Sequence, residues 1–157
     1  MKEIQLTQGK AALVDDEDFE WLNQWKWCAH KSDSGVFYAR RRGDGNKTIH
    51  MHRVIMDTPD NLECDHKDNN GLNCQRYNLR NCTRGQNNSN RRKTKKNTSG
   101  FKGVSWQKSR NKWRVQLQIN GVKKFFGLFD RLDEAANAYD EAAKENHKEF
   151  SNVNFKD

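Results

Sequence analysis

Between residues 100 and 130, apolar and polar positions alternate in three runs, FKGVSW, KWRVQLQI and KKFFGLF. That period of two belongs to strands with one face on a core and the other in water. An Asn120–Gly121 pair between the second and third runs predicts a tight hairpin turn. On the middle run Trp113, Val115, Leu117 and Ile119 share one face, and Lys112, Arg114, Gln116 and Gln118 share the other. The period then becomes helical: in DEAANAYDEAAKENH, residues Ala135, Ala136, Tyr139, Ala142 and Ala143 form one stripe able to cover the apolar side of the sheet. The pattern therefore predicts a three-stranded antiparallel sheet packed on one helix, with a basic, amide-rich face left open.

Before residue 60 the runs are shorter. Strands are predicted around 2–6, 11–14, 26–31 and 36–41, with a helical turn in DDEDFEWLNQ and a second helix in HMHRVIM. The acids Asp15 to Asp18 suit the positive end of a helix dipole. Trp21, Trp25 and Trp27 are assigned to the core of this segment. Residues 61–92 are dense in asparagine and turn formers, too polar for a core of their own and for that reason a candidate site. The stretch 89–99, SNRRKTKKNTS, has no apolar residue and five basic ones, the signature of an extended linker. At roughly 3.3 Å per residue it spans up to about 36 Å, on the order of ten base pairs of duplex.

Composition narrows the class. The chain has 157 residues, of which 33% are hydrophobic, and a mean hydropathy of −1.20, so its cores must be small and need help from a metal or a partner. No apolar run approaches the roughly 18 residues that cross a bilayer, and the opening MKEIQLTQGK lacks a signal-like apolar stretch, so a cytoplasmic protein with no membrane partner is expected. The formal charge is +8, and it is local: between Asp68 and Asp130 lie 61 residues with 15 Lys and Arg and no acid. Such a block calls for a polyanion, and nucleic acid is the leading partner. Cys28, Cys64, Cys74 and Cys82 form no C-x-x-C pair. They read as reduced thiols, with a zinc site on Cys64, Cys74 and Cys82 as the minor alternative.

The strongest local signal is CDHKDNNGLNCQRYNLRNCTRGQNN, with Asp65 and His66 adjacent and Asn87 further on, in what reads as the first turn of a helix. One carboxylate, one amide oxygen and substrate phosphate oxygens suit a hard cation such as magnesium. A neutral imidazole can take a proton from water at neutral pH. Together these groups suggest metal-assisted phosphodiester hydrolysis. The segment resembles the HNH endonuclease family, closely its phage- and intron-associated branch, whose pattern DH-x-D-x-N-x-x-N-x-x-x-x-NLR-x-x-T-x-x-x-N builds a ββα-metal finger. Matching positions are Asp65, His66, Asp68, Asn70, Asn73, Asn78, Leu79, Arg80, Thr83 and Asn87. The resemblance implies His66 as general base, Asp65 and Asn87 as metal ligands and Asn78 as the residue that fixes the loop. The preceding VDDEDFEWLNQWKW and IHMHRVIM also look like the segment before this finger. There His52 reads as structural, with a phosphate contact as the alternative, while His30 and His147 receive no role.

From SGFKGVSW to the end, the chain resembles the plant ethylene-response-factor (AP-two) DNA-binding domain, which reads DNA with its three-stranded sheet. That likeness puts Lys102, Ser105, Gln107, Gln116, Gln118, Lys123 and Phe125 on the DNA side, joined by Arg114 through strand alternation. Several positions often Arg in plant members are Ser or Gln here, so the plant target sequence does not transfer. Arg80, Arg84, Arg91, Arg92, Lys93, Lys95 and Lys96 are assigned to DNA binding, those of the 89–99 linker along the phosphate backbone.

The expectation is thus an α+β protein: an HNH nuclease domain over 1–88 with its finger at about 61–92, a basic linker over 89–99 and an AP-two-type domain over 100–157. It would be a homing-type endonuclease, phage-encoded and acting in a bacterial host cell. It would use Mg2+ or Mn2+, no zinc and no small-molecule cofactor, on double-stranded DNA, nicking as a monomer. A DNA-binding regulator with a non-catalytic finger is the alternative; an RNA-binding or zinc-dependent protein is a more remote one.

Overall fold

The computed structural model describes residues 1–94 and 96–155, and the chain divides into two compact units, Met1–Arg84 and Gly85–Asp157. Both mix small antiparallel sheets with short helices, and the chain's long helix lies near its C-terminus. No helix among the described residues is long and apolar enough to cross a membrane.

In the first unit, β1 (Lys2–Gln5) and β2 (Ala11–Val14) form a hairpin, followed by α1 (Asp16–Leu22). Strands β3 (Cys28–Lys31), β4 (Phe37–Arg42) and β5 (Thr48–His50) make an antiparallel sheet in that order, and α2 (Met51–Ile55) follows at once. A last hairpin pairs β6 (Glu63–His66) with β7 (Leu79–Cys82), Asp65 opposite Arg80 and His66 opposite Leu79. The core gathers Ile4, Val14, Leu22, Trp27, Met51 and Ile55, and Cys64, Cys74 and Leu79 join it from the last hairpin. The polar 61–82 stretch is thus held by its three apolar side chains plugged into a core that other segments build. Trp25 departs from expectation: it is 37% exposed, because it follows the end of α1 and leaves its ring under the Arg41 guanidinium, 4.5 Å from the ring centroid.

The acids before and within α1 do more than face its dipole. Asp15 makes no side-chain cap. Its carboxylate accepts from the Arg76 backbone N–H at 2.8 Å and from Gln75 Nε2 at 3.1 Å. Asp18, 1% exposed, takes the Arg76 guanidinium on both oxygens at 2.7 and 2.8 Å. These bonds, with Leu13 N–H to the Leu72 carbonyl and Cys74 N–H to the Leu13 carbonyl, fasten the 67–78 loop to the unit.

The helix α3 (Arg84–Asn90) begins at the boundary between the units, four residues before the expected domain end. The second unit holds β8 (Val104–Gln107), β9 (Lys112–Ile119) and β10 (Val122–Phe129) in the order β10-β9-β8, with α4 (Leu132–His147) against the apolar side. Asn120 and Gly121 take φ of 51° and 82°, the left-handed pair a two-residue hairpin turn demands. Val115 and Leu117 are buried against Ala135, Tyr139, Ala142 and Ala143, each aliphatic side chain contributing about 1.5–3 kcal/mol. The stretch 89–99 is not extended throughout. Ser89 and Asn90 are helical, Asn90 is buried, and Ser99 is buried with its hydroxyl on the Phe101 and Val104 carbonyls. Polar side chains there find backbone partners within the unit, which an apolarity pattern does not register.

Candidate functional site

Asp65 and His66 sit at the end of β6, both only 5% exposed. The loop that follows turns back to β7 through a closed set of side-chain hydrogen bonds. Asn78, 2% exposed, accepts the Asp68 N–H on Oδ1 at 3.1 Å and donates from Nδ2 to Asp68 Oδ1 and to the Asn73 carbonyl. Asp68 also accepts the Asn70 N–H at 2.7 Å and Asn73 Nδ2 at 2.8 Å. One carboxylate and one amide thereby bind both sides of a loop whose apolar anchor in the core is Cys74.

Arg80, expected on DNA, is engaged inside the unit. Its Nε and Nη2 both donate to Asp65 Oδ2, at 2.9 and 2.8 Å, and its side chain is 11% exposed. The two are direct cross-strand partners, so a cation is the natural neighbour for a carboxylate this deep.

The His66 ring is enclosed by aromatic neighbours. The Tyr38 ring centroid lies 5.7 Å away, and His52 meets it edge-on at 4.8 Å. Cys74 Sγ is 4.0 Å from His66 Nε2. Burial is the main cause that drives the His66 pKa down to about 4, outweighing the nearby carboxylates of Asp68 and Asp65, so the imidazole is neutral at pH 7. Burial likewise lowers His52, and the charges of His66, His50 and Arg53 lower it further. Among the described residues, the Nδ1 atoms of His50 and His52 are buried without a hydrogen-bond partner. Tyr38 was not singled out by the sequence; it reaches His66 only through the β3-β4-β5 sheet, and no local pattern marks it.

Asn87 is the fourth residue of α3, where the first turn of the helix closes, and is half-buried. A carboxylate and an amide oxygen are donors of the hard kind that magnesium or manganese takes, completed by water. Among the described residues, no group of three or more His, Cys, Asp or Glu is arranged to hold a metal ion.

In the second unit, cross-strand register places Ser105, Arg114 and Leu128 in one row of the open face, Gln116 and Phe125 in the next, and Gln118 and Lys123 beyond. Gln107, paired with Lys112, completes it. Phe125 is 57% exposed, and a shallow concavity is lined by Gln107, Arg110, Arg114, Phe125, Gly127 and Leu128. Lys102 is placed differently: it precedes β8, and its ammonium donates to the Ser89 carbonyl, burial pushing its pKa down to about 8. Arg84, Arg91, Arg92, Lys93 and Lys96 are exposed, Lys93 donating to the Gly100 carbonyl. Lys95 lies outside the described residues.

No family model and no solved structure matches the chain. Over 93 residues, 59% of this chain and 76% of the relative, it is 37% identical to protein 3.8 of Escherichia phage T7. Over 147 residues, 94% of this chain and 76% of the relative, it is 26% identical to a protein of Acanthamoeba polyphaga mimivirus named as an uncharacterized HNH endonuclease.

Proposed function

We propose that this chain, which belongs to the family of protein 3.8 of Escherichia phage T7, is a site-specific DNA endonuclease of the HNH kind. The observation that carries this reading is the Asp65–His66 pair at the end of β6, in a strand, clamped loop, strand and helix order, with the imidazole neutral at pH 7. The distant mimivirus relative named as an HNH endonuclease supports it.

In this mechanism His66 accepts the proton of a water whose oxygen attacks phosphorus. The P–O3′ bond breaks, and the products are a 5′-phosphate and a 3′-hydroxyl. Asn78 and Asp68 keep the loop closed so that the imidazole stays at the end of its strand. Asp65 would hold magnesium or manganese, which would supply charge neutralisation at the scissile phosphate. Arg80 shares Asp65 Oδ2 and limits how far that carboxylate can move. The open face of β8–β10 would dock in the major groove, with Arg114, Gln116 and Gln118 toward base edges and Phe125 against apolar ones. The exposed basic side chains of Arg84, Arg91, Arg92, Lys93 and Lys96 would follow the phosphate backbone. A chain of this kind, one finger per molecule, nicks as a monomer and fits a homing role.

A second reading, a DNA-binding regulator whose finger is structural, draws on the tight Arg80–Asp65 pair and the 5% exposure of His66. One assay separates them: supercoiled plasmid carrying the gene's own flanking DNA, with magnesium, against wild type and His66→Ala. The endonuclease nicks and the variant does not. Equal nicking by the variant removes His66 as base, and binding without cleavage by wild type selects the regulator.

A further inference from the structure

The backbone of His66 is set by its pairing with Leu79 and by the Asp68–Asn78 clamp just beyond it. Backbone pairing leaves the side-chain torsions of a histidine free, so the direction of the imidazole is set by what packs on it. His52 supplies one wall from α2 and Tyr38 another from β4, with ring centroids 4.8 and 5.7 Å away. Tyr38 also lies 5.7 Å from His52, so the three rings close a triangle.

Along β4 Ala39 faces the core, so Tyr38 beside it faces the other way, opposite His30 and outside the apolar cluster. Its half-buried ring meets the 67–78 loop instead. A Cβ on Gly71 would lie 2.7 Å from two carbons of that ring and 2.4 Å from the Phe37 carbonyl oxygen. The φ of Gly71 is not left-handed, so glycine is required here by close approach and not by backbone conformation. Cys74 Sγ lies 4.0 Å from both the Gly71 carbonyl and His66 Nε2. The clamped loop is thus seated on β4 at the Phe37–Tyr38 step, and the ring that receives it also bears on His66.

We propose that Tyr38 is a positioning residue for His66: its ring, seated against Gly71, keeps the imidazole aimed at the water it deprotonates. The role of His66 as base rests on the nuclease reading; the packing of the rings does not. A base acts only within hydrogen-bond reach of its proton, and a misplacement of about 1 Å costs up to about a hundredfold in rate.

The test reads the imidazole directly, through the carbon-bound ring protons of His66 in the full-length protein, the signal being identified by its loss in His66→Gln. Tyr38→Met fills the space with a flexible chain. The His66 signal then loses its ring-current shift and broadens, while the backbone amides of β6 and β7 hold their positions. Tyr38→Phe keeps the ring and restores the wild-type signal. Gly71→Ala presses on the ring from the loop and moves the same signal without altering Tyr38. On plasmid with magnesium, Tyr38→Met lowers kcat up to about a hundredfold at unchanged KM, and Tyr38→Phe recovers most of it. An unmoved His66 signal in Tyr38→Met, or a Tyr38→Phe as damaged as Tyr38→Met, overturns the assignment. So does the absence, in wild type, of a nuclear Overhauser contact between the Tyr38 and His66 rings, whether or not the variants fold. Nicking by wild type reports on the nuclease reading separately. Nicking with an unmoved signal sinks only the role of Tyr38, and a signal that follows Tyr38 in a protein that does not nick sinks only the nuclease.

Discussion

His52 meets His66 edge-on, ring centroids 4.8 Å apart at 70°, and His50 lies 5.4 Å beyond His52. Three imidazoles are therefore in ring contact in one corner of the first unit, His52 and His66 buried and His50 half-buried. For each the main cause of a lowered pKa is burial, with neighbouring positive charge adding to it for His50 and His52.

This corner makes the unit acid-sensitive. The folded imidazoles bind protons more weakly than unfolded ones, whose pKa is about 6.5. The unfolded chain thus holds more protons as pH falls, and stability present above pH ~6.5 is lost on the way toward the folded His66 value of about 4. His66 alone accounts for roughly 3 kcal/mol at about 1.4 kcal/mol per unit. Urea unfolding followed by tryptophan fluorescence should show the midpoint falling between pH 6.5 and 4. His52→Phe should flatten that fall; an identical pH profile in the variant removes His52 as a contributor to it.

A second prediction concerns Arg80. With the guanidinium gone, Asp65 keeps a 5% exposed carboxylate without its cation, so Arg80→Ala should cost about 3–5 kcal/mol in denaturant unfolding. Replacing both, as Arg80→Met with Asp65→Leu, should recover most of the loss while abolishing any cleavage. A near-neutral Arg80→Ala would mean that the carboxylate finds water or another partner on relaxation.

The parts of this molecule that could be read from the sequence are those in which a few neighbouring residues decide the outcome. Asn120–Gly121, the alternation from Trp113 to Ile119 and the alanine stripe of α4 are local patterns, and β9, β10 and the helix follow them. Asp65, His66 and Asn78 stood out through a motif and do meet around one loop, but what each touches did not. Arg80 was read as a DNA contact because charge runs say nothing about a buried acid fifteen residues away. Asp18 and Arg76 are 58 positions apart, and Tyr38 reaches His66 across two different sheets. Trp25 was read as core because hydrophobicity does not reveal which of three tryptophans the fold leaves at the surface.

Glycines in the second unit separate two costs. Gly103 has φ of 74°, and a Cβ there would lie 2.1 Å from the Tyr139 ring and 2.8 Å from the Gln116 carbonyl. Gly100 has φ of 82° with nothing within 4 Å. Gly100→Ala should therefore lose only the left-handed backbone cost, about 1 kcal/mol, whereas Gly103→Ala adds a clash with the sheet and helix and should lose about 3 kcal/mol or more. Thermal unfolding read at Trp106 and Trp113 decides; equal losses would show that the Tyr139 ring moves aside freely.

The tail after α4 is tied down by one carboxylate. Asp140, 5% exposed, accepts the Asn154 N–H and Nδ2 on Oδ1 and the Phe155 N–H on Oδ2, at 2.7, 3.0 and 2.8 Å. Asn154 in turn bonds the Lys102 backbone through Oδ1 and Nδ2, and Phe155 rests its ring 5.5 Å from that of Phe101. The tail thus couples the end of the helix to the chain entering β8. Asp140→Ala strands three donors, and losing such a charged acceptor should cost about 2–3 kcal/mol. Hydrogen exchange at Asn154, Phe155 and Lys102 should accelerate together, while amides of β9 and β10 keep their protection until the whole unit opens. Faster exchange confined to residues 154 and 155 would show that Lys102 is held by the sheet alone and that the tail is a passenger.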